Sequence, residues 1–132
     1  MRISRNLVDA IHTDLIEQYG GLQGVNDERL IESALARPKN AWSYRSESTI
    51  TMLAASLAVG LTKNRGYRDG NKRTAFVASA VFLWLNGYRL VASEEEAVSA
   101  MVYLATDTWS EARFAEWVGE RVDLMGRTAR RD

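Results

Sequence analysis

The sequence lacks cysteine, which excludes a disulfide scaffold, a thiolate metal site and a cysteine nucleophile. It also has little proline and histidine, with one residue of each in 132. Net charge is absent as well, because Lys plus Arg and Asp plus Glu both number 17. No overall field draws the chain onto nucleic acid or an anionic membrane, and we expect neither as a direct partner. No long apolar segment follows the amino terminus, so no secretory signal is visible and we expect a cytoplasmic protein.

What is present is the composition of an ordinary folded domain. Hydrophobic residues make up 46% of the chain and charged residues 26%. These values are typical of globular proteins rather than of disordered or membrane-embedded ones. A chain of this length fits one domain. We therefore predict a single domain over residues 1–125, followed by a basic, flexible tail at residues 126–132.

Apolar residues recur at steps of three and four along most of the chain, which predicts an all-α helical bundle. Proline disfavours helical geometry in the residue before it, so the second helix should stop near Pro38. Ser93 followed by Glu96 predicts a capping box at the start of a later helix. The predicted helices span residues 7–19, 27–38, 49–62, 74–85, 94–104 and 110–124.

Residues 39–48 have no helical period and contain several small polar side chains, which predicts a short loop or hairpin flap. Trp42 and Tyr44 are its aromatic residues. Two roles stay open for them, namely holding a partner or target segment and partial burial against neighbouring helices.

One stretch, residues 63–73, concentrates positive charge in a chain whose total charge is zero. Its single acidic residue, Asp69, stands against five basic ones: Lys63, Arg65, Arg68, Lys72 and Arg73. The stretch joins two apolar helices, so free backbone N–H groups around Gly70, Asn71 and Lys72 are expected to face a bound phosphate. A carboxylate beside phosphate oxygens is a typical Mg²⁺ ligand, which makes Asp69 the candidate metal residue. The same residues also fit a solvated turn in which Asp69 caps a helix.

The run KNRGYRDGNKRTA at residues 63–75 resembles the signature of the Fic/Doc superfamily. In that signature a histidine precedes D-[GA]-N-K-R in the loop between two central helices. Residues 19–38 and 82–88 resemble the corresponding parts of Doc-type toxins, so the resemblance covers most of residues 1–105. It implies an all-α Fic/Doc-type helical bundle with a loop or hairpin flap near residues 39–48.

The resemblance implies a toxin of a type II toxin–antitoxin system. Such a toxin uses Mg²⁺ and ATP to phosphorylate a translation factor of the elongation factor Tu class, and so inhibits translation. A separate antitoxin protein holds it silent, so the antitoxin and the protein substrate are the expected partners. Fic enzymes that transfer AMP usually carry a second glycine after the motif asparagine, whereas Lys72 stands there in this chain. Phosphate transfer is therefore expected, with AMP transfer as the alternative.

Carried over by position, the resemblance also assigns roles to the residues of the motif. Asp69 would hold Mg²⁺. Asn71 and the backbone of Gly70 to Arg73 would bind phosphates, so the cofactor-binding set is Gly70, Asn71, Lys72 and Arg73. The catalytic set is Arg65, Asp69, Lys72 and Arg73. Within this set, the side chains of Lys72 and Arg73 would stabilise the charge that moves during transfer.

Arg65 stands where the family has its catalytic histidine. That histidine takes the proton of the attacking hydroxyl, and a guanidinium, which stays protonated, cannot do so. Loss of a general base typically lowers the rate by roughly 10²–10⁴-fold, so we predict an impaired or inactive transferase that still binds anions. His12, the only histidine, is expected to pack or to form a hydrogen bond on the first helix rather than replace the base. Tyr67 is expected to anchor the loop in the core.

Two further classes of protein stay open. A catalytically dead Fic/Doc-like binding module would dock an antitoxin or a protein target without turnover. A nucleic-acid binder would use the basic residues of the 63–73 stretch, but zero net charge and the presence of Asp69 within the cluster oppose it. Arg65 itself fits both a naturally degenerate member and an inactivating replacement in a lethal toxin.

Overall fold

The computed structural model describes residues 1–44 and 49–125, and within them the chain forms six helices and one small sheet. In chain order the elements are α1 (Arg5–Tyr19), α2 (Glu28–Tyr44), α3 (Ile50–Asn64), α4 (Asn71–Leu85), β1 (Tyr88–Leu90), α5 (Glu94–Ala105), α6 (Glu111–Gly119) and β2 (Val122–Leu124). The predicted all-α bundle is confirmed, and its buried hydrophobic side chains form one cluster. Within the described ranges, no helix combines the length and the apolar character needed to cross a membrane. The predicted tail at residues 126–132 lies outside these ranges.

Short polar side chains fix where most of the helices begin. Four helices, α1, α3, α5 and α6, start at a hydroxyl that accepts a backbone N–H of the first turn: Ser4, Thr49, Ser93 and Ser110. At α5 the Glu96 carboxylate also accepts the Ser93 N–H, which confirms the predicted capping box. Helix α4 differs, because it begins after Gly70, which has no side chain to cap it.

Helix α3 is the centre of the fold and packs against α2, α4, α5 and α6. Its buried face is rich in alanine, with Ala54, Ala55 and Ala58 fully buried. Small side chains allow neighbouring helices to approach closely. At Gly60 an added Cβ would lie 2.9 Å from both Cα and Cβ of Ala34 in α2. The contact between α2 and α3 therefore leaves no room for a side chain at this position.

Helix α2 continues through Pro38 to Tyr44, so the predicted stop near Pro38 is wrong. A proline inside a helix removes one backbone hydrogen bond and disfavours the turn before it. Tertiary contacts outweigh that cost here, because Pro38 is buried within the fold. The preceding Arg37 donates from Nε to the Ser56 carbonyl in α3 and from Nη2 to the Glu111 carboxylate in α6.

The loop or hairpin flap predicted for residues 39–48 is wrong for its first part. Residues 39–44 belong to α2, including the main chain of Trp42 and Tyr44. Once a helix is established, each further residue adds one hydrogen bond at little cost, so a segment without an apolar period can still extend it. Residues 45–48, the rest of the predicted flap, lie outside the described residues.

The fold includes a small two-stranded sheet that the sequence does not predict. Strands β1 and β2 pair in antiparallel fashion, with Tyr88 opposite Leu124. The predicted last helix at residues 110–124 is therefore wrong at its end, because α6 stops at Gly119. Strands of three residues are too short to show an alternating pattern, and their pairing joins residues that lie far apart in the sequence.

Replacing Gly60 with alanine should destabilise the protein. The new methyl group would overlap the backbone of Ala34, and overpacking of this kind typically costs about 1–3 kcal/mol. Urea unfolding followed by circular dichroism measures the free energy of unfolding. Gly119→Ala is the matched control, because a Cβ at Gly119 meets no atom within 4 Å and alanine favours a helix, so stability should stay equal or rise. A wild-type unfolding free energy for Gly60→Ala would contradict the close contact.

Candidate anion-binding site at the start of helix α4

The loop that joins α3 to α4, here called the α3–α4 loop (residues 65–70), is held at its beginning by α2. Helix α3 ends at Arg65, whose backbone is left-handed with a φ of 53°. The carbonyl of the next residue, Gly66, accepts two backbone N–H groups from just before α2. An added Cβ at Gly66 would lie 2.5 Å from Cγ1 of Ile31, so only glycine fits between the loop and α2.

Tyr67 anchors the α3–α4 loop in the core, as predicted. The residue is 3% exposed, and its hydroxyl donates to Oδ1 of Asp9 in α1. Asp9 also accepts a hydrogen bond from Nε of Arg5 at 2.8 Å, and Arg5 pairs in turn with Glu28 and Glu32 of α2. Burial and the hydrogen bond to Asp9 raise the pKa of Tyr67, so its hydroxyl stays protonated. One chain of polar contacts thus joins the loop, α1 and α2.

Asn71, the first residue of α4, holds the same loop with its side chain. Its Oδ1 accepts the Tyr67 N–H at 3.0 Å, and its Nδ2 donates to the Tyr67 carbonyl at 2.9 Å. Both ends of the side-chain amide are therefore occupied by the main chain of Tyr67. The backbone N–H of Asn71 meets no acceptor among the described residues and is available to an anion.

Helix α4 begins with a row of uncapped amides. Its N-cap is Gly70, and no side chain accepts the first N–H groups. The first helical hydrogen bond runs from the Thr74 N–H to the Gly70 carbonyl. Among the described residues, the N–H groups of Asn71, Lys72 and Arg73 meet no acceptor. Such a row, at the positive end of the helix dipole, is suited to bind a phosphate group.

Gly70 is required at this position by its backbone and by its packing. Its φ of 74° is in the left-handed region, which glycine adopts without strain. An added Cβ would also lie 2.9 Å from Cδ1 of Ile16 in α1. The absence of a side chain therefore lets α1 lie directly against the start of α4.

Two exposed cations, Lys72 and Arg73, lie in the first turn of α4 beside these amides. The guanidinium of Arg73 lies over the ring of Tyr19 at the end of α1, with its Cζ 4.0 Å from the ring centroid. Lys63 belongs to the same basic stretch of sequence but has a different partner, because its ammonium pairs with Asp107 after α5. The structure therefore brings Lys72 and Arg73 to the uncapped amides and takes Lys63 away from them.

Asp69 lies directly before Gly70 and is partly buried. Its Oδ2 accepts the Leu22 N–H at 2.8 Å, which ties the α1–α2 connection to the loop. Its Oδ1 has no hydrogen-bond partner in the part of the chain that the structure describes. In that same part, no group of three or more His, Cys, Asp or Glu side chains forms a metal cage. One carboxylate oxygen beside a phosphate site fits Mg²⁺, whose other ligands are then phosphate oxygens and water.

Neither Arg65 nor His12 offers this site an accessible group that takes up a proton. Arg65 is exposed and forms no ion pair with the described residues, and its guanidinium stays protonated. His12 is 2% exposed, and its Nε2 lies 2.8 Å from the Asp69 carbonyl oxygen. A carbonyl only accepts hydrogen bonds, so Nε2 carries a hydrogen and donates it. This geometry confirms that His12 packs and forms a hydrogen bond.

An apolar groove adjoins the cationic first turn of α4. Its volume is about 450 Å³, and residues of α1, α4 and α5 line it. Lys72 and Arg73 form part of its wall. Its apolar lining includes Leu15, Phe76, Val77, Val98, Met101 and Val102. A groove of this size beside charged groups suits part of a cofactor or a peptide segment.

Comparison with known proteins identifies the family of this chain. Residues 2–83 match the family model described as Fic/DOC family. The chain belongs to the Fic/DOC family. It is 30% identical over 95 residues to "Protein kinase doc" of Escherichia phage P1, which covers 72% of this chain and 75% of the phage protein. It is 37% identical over 75 residues to "Toxin Doc" of Mycolicibacterium smegmatis, which covers 56% of this chain and 58% of that protein. The Doc-type resemblance found at residues 63–75 is thereby confirmed.

The contacts that support this site come largely from α1 and the α1–α2 connection, and the sequence does not predict most of them. The contacts of Asp9 with Tyr67 and of Leu22 with Asp69 were not predicted. One signal in the sequence marks Asp9. Arg5 and Asp9 are four residues apart on a helix, and this spacing favours an ion pair between them. No comparable signal marks Leu22, which acts through its backbone.

Tyr67→Phe should remove a pH-dependent part of the stability. The fold raises the pKa of Tyr67, so the contribution of its hydroxyl is fully present below the unfolded pKa and is lost as the pH rises above it. Wild type should lose stability more steeply than Tyr67→Phe from about pH 9 to 11, around the ordinary tyrosine pKa. Urea unfolding at a series of pH values measures this slope. Tyr103→Phe, which alters an exposed ring on α5, should keep the wild-type slope. Parallel slopes for wild type and Tyr67→Phe would rule the effect out.

Proposed function

We propose that this protein is a toxin of a type II toxin–antitoxin system, built to bind ATP with Mg²⁺ at the start of α4. It would transfer the terminal phosphate to a hydroxyl of a translation factor of the elongation factor Tu class, and so inhibit translation. The observation that carries the proposal is the uncapped row of amides at residues 71–73, flanked by the Lys72 and Arg73 side chains and by the Asp69 carboxylate.

Each part of the site suits one part of the nucleotide. The amides of residues 71–73 and the helix dipole suit phosphate oxygens, and the Lys72 and Arg73 side chains suit the charge that moves during transfer. Asp69 would hold Mg²⁺ through Oδ1, while its Oδ2 stays bonded to the backbone of Leu22. When bound, Mg²⁺ neutralises part of the phosphate charge.

The relatives support phosphate transfer and a toxic role. The phage relative is named a protein kinase, and the mycobacterial relative is named a toxin. Lys72 stands at the position where AMP-transferring Fic enzymes usually carry glycine, which favours phosphate transfer over AMP transfer. In the proposed reaction the substrate oxygen bonds to the γ-phosphorus, the bond from that phosphorus to the β–γ bridging oxygen breaks, and ADP leaves.

The step that this site does not support is removal of the proton from the attacking hydroxyl. A base must remove it, and Arg65 stands where that base belongs. His12 does not take over this task, because its side chain is 2% exposed and so out of reach of a substrate hydroxyl, with Nε2 bonded to the Asp69 carbonyl. We therefore propose a transferase that is impaired at this one step and that keeps its binding site.

A cognate antitoxin is the proposed protein partner. The name of the mycobacterial relative implies a protein that neutralises it, and the apolar groove offers this chain a surface for such a protein. Val98 and Val102 are exposed there, near the cations Lys72 and Arg73. A peptide segment with apolar and acidic side chains fits this combination.

A second candidate, favoured by Arg65, is a catalytically dead Fic/Doc-like binding module. It would bind the same antitoxin or target without turnover. One experiment distinguishes the two candidate functions, because restoring the base revives a transferase and leaves a binding module unchanged.

Arg65→His should restore transfer. The left-handed backbone at this position tolerates histidine better than most residues, and regaining a general base should raise the rate by roughly 10²–10⁴-fold. Induced expression should arrest bacterial growth, and co-expressed antitoxin should relieve the arrest. The purified variant should transfer label from γ-³²P ATP to elongation factor Tu.

Matched controls make this result specific. Arg65→Gln removes the same charge without adding a base and should stay inactive. The double variant Arg65→His with Asp69→Asn should lose the restored activity, because the carboxylate is gone. Transfer from α-³²P ATP would show AMP transfer instead. If Arg65→His transfers neither label and leaves growth unchanged, the binding module is the better description.

Lys72→Ala should weaken nucleotide binding. A hydrogen bond to a charged group contributes about 1.5–3 kcal/mol, so the dissociation constant for Mg·ATP should rise by roughly 10- to 100-fold. Isothermal titration calorimetry measures it. Lys63→Ala is the control, because it removes the same charge from the same stretch of sequence but from a lysine paired with Asp107. Equal affinities in the two variants would mean that only overall charge matters at this site.

A further inference from the structure

His12 is a buried polar residue to which the proposed reaction gives no task. It lies in the middle of α1 and is 2% exposed. Its Nε2 donates to the carbonyl oxygen of Asp69 at 2.8 Å, across 57 positions of sequence. Its ring stacks on that of Tyr67, with centroids 4.0 Å apart and planes 11° from parallel. One imidazole thus contacts Asp69, the residue directly before the Gly70 cap of α4, and Tyr67, two residues further back.

The hydrogen bond from His12 sets the direction of a whole peptide group. A trans peptide is planar, and its C=O and N–H point in opposite directions. The described peptide bonds are all trans, so the bond between Asp69 and Gly70 follows this rule. When the Asp69 carbonyl points at His12 in α1, the Gly70 N–H points away from α1. That amide directly precedes the uncapped amides of residues 71–73.

The opposite orientation of this peptide would harm anion binding. Glycine tolerates a wide range of backbone angles, so rotation of the Asp69–Gly70 peptide is limited by its hydrogen bonds more than by sterics. A rotated peptide would present the Asp69 carbonyl oxygen on the side where the Gly70 amide now lies. An oxygen there repels phosphate, whereas an N–H binds it. The donor on His12 is the contact that favours the orientation with the amide outward.

We propose that His12 is a positioning residue, which holds the Asp69–Gly70 peptide with its amide directed to the phosphate site. The inference deepens the proposed function and rests on it. His12 touches neither nucleotide nor substrate in this role. It acts through the loop, by its hydrogen bond to Asp69 and by its stacking on Tyr67.

Two variants separate the hydrogen bond from the ring. His12→Phe keeps an aromatic ring to stack on Tyr67 and loses the donor. His12→Gln loses the ring and keeps an amide donor that can reach the Asp69 carbonyl. Mg·ATP affinity, measured by calorimetry, should fall by about tenfold or more in His12→Phe and stay within about threefold of wild type in His12→Gln. Thermal unfolding of both variants shows whether they are folded.

Equal affinity of His12→Phe and wild type would overturn the proposal. So would equal losses in both variants, because the ring rather than the donor would then matter. Wild-type protein that binds no Mg·ATP would instead contradict the proposed function.

Nuclear magnetic resonance on the unliganded protein tests the positioning role without nucleotide. The chain has a single histidine, so its imidazole ¹⁵N signals belong to His12 without ambiguity. The spectrum should show a hydrogen on Nε2 and a coupling across the hydrogen bond to the Asp69 carbonyl. An Nε2 without hydrogen at neutral pH would overturn the inference. The Gly70 amide signal should move in His12→Phe and return towards its wild-type position in His12→Gln, and an unmoved signal in His12→Phe would likewise overturn it.

Discussion

The placement of Tyr67 is the constraint on which the rest of the site depends. Its ring and hydroxyl are fixed by His12 and Asp9 of α1, and both its backbone N–H and its carbonyl are held by Asn71. With Tyr67 fixed on both sides, the chain has only a short path to the start of α4. That path makes Gly70 the cap and leaves the first amides of the helix without an internal acceptor.

The motif of the site could be predicted from the sequence, but its supports could not. Residues 63–75 are contiguous, so their charges and their resemblance to Fic/Doc proteins are visible in one reading. Their supports lie on one face of α1, where side chains three and four residues apart contact the loop or the first turn of α4: Asp9, His12, Ile16 and Tyr19. In the sequence this mixed stripe looks like a solvated helix face. Only the approach of α1 to a loop that lies 57 positions further along the chain, counted from His12 to Asp69, brings this stripe against the site.

The helices and strands show the same difference between what local sequence sets and what distant contacts set. The helices whose ends are set locally, by a hydroxyl cap or a glycine, were predicted within a few residues, as for α1, α3 and α5. The errors arose where distant contacts decide the local structure. Helix α2 passes Pro38 because Arg37 and its neighbours are held by α3 and α6. The β1–β2 pair forms because the end of α6 returns beside the end of α4, which no local pattern encodes.

Four residues build the turn itself, whatever chemistry takes place beside it: Gly66, Tyr67, Gly70 and Asn71. Arg65, by contrast, is exposed and has no ion-pair partner among the described residues, so its side chain holds no part of the turn in place. The shape of the turn is therefore independent of the side chain at position 65, and the signature around that position reflects how the chain is built rather than what it catalyses.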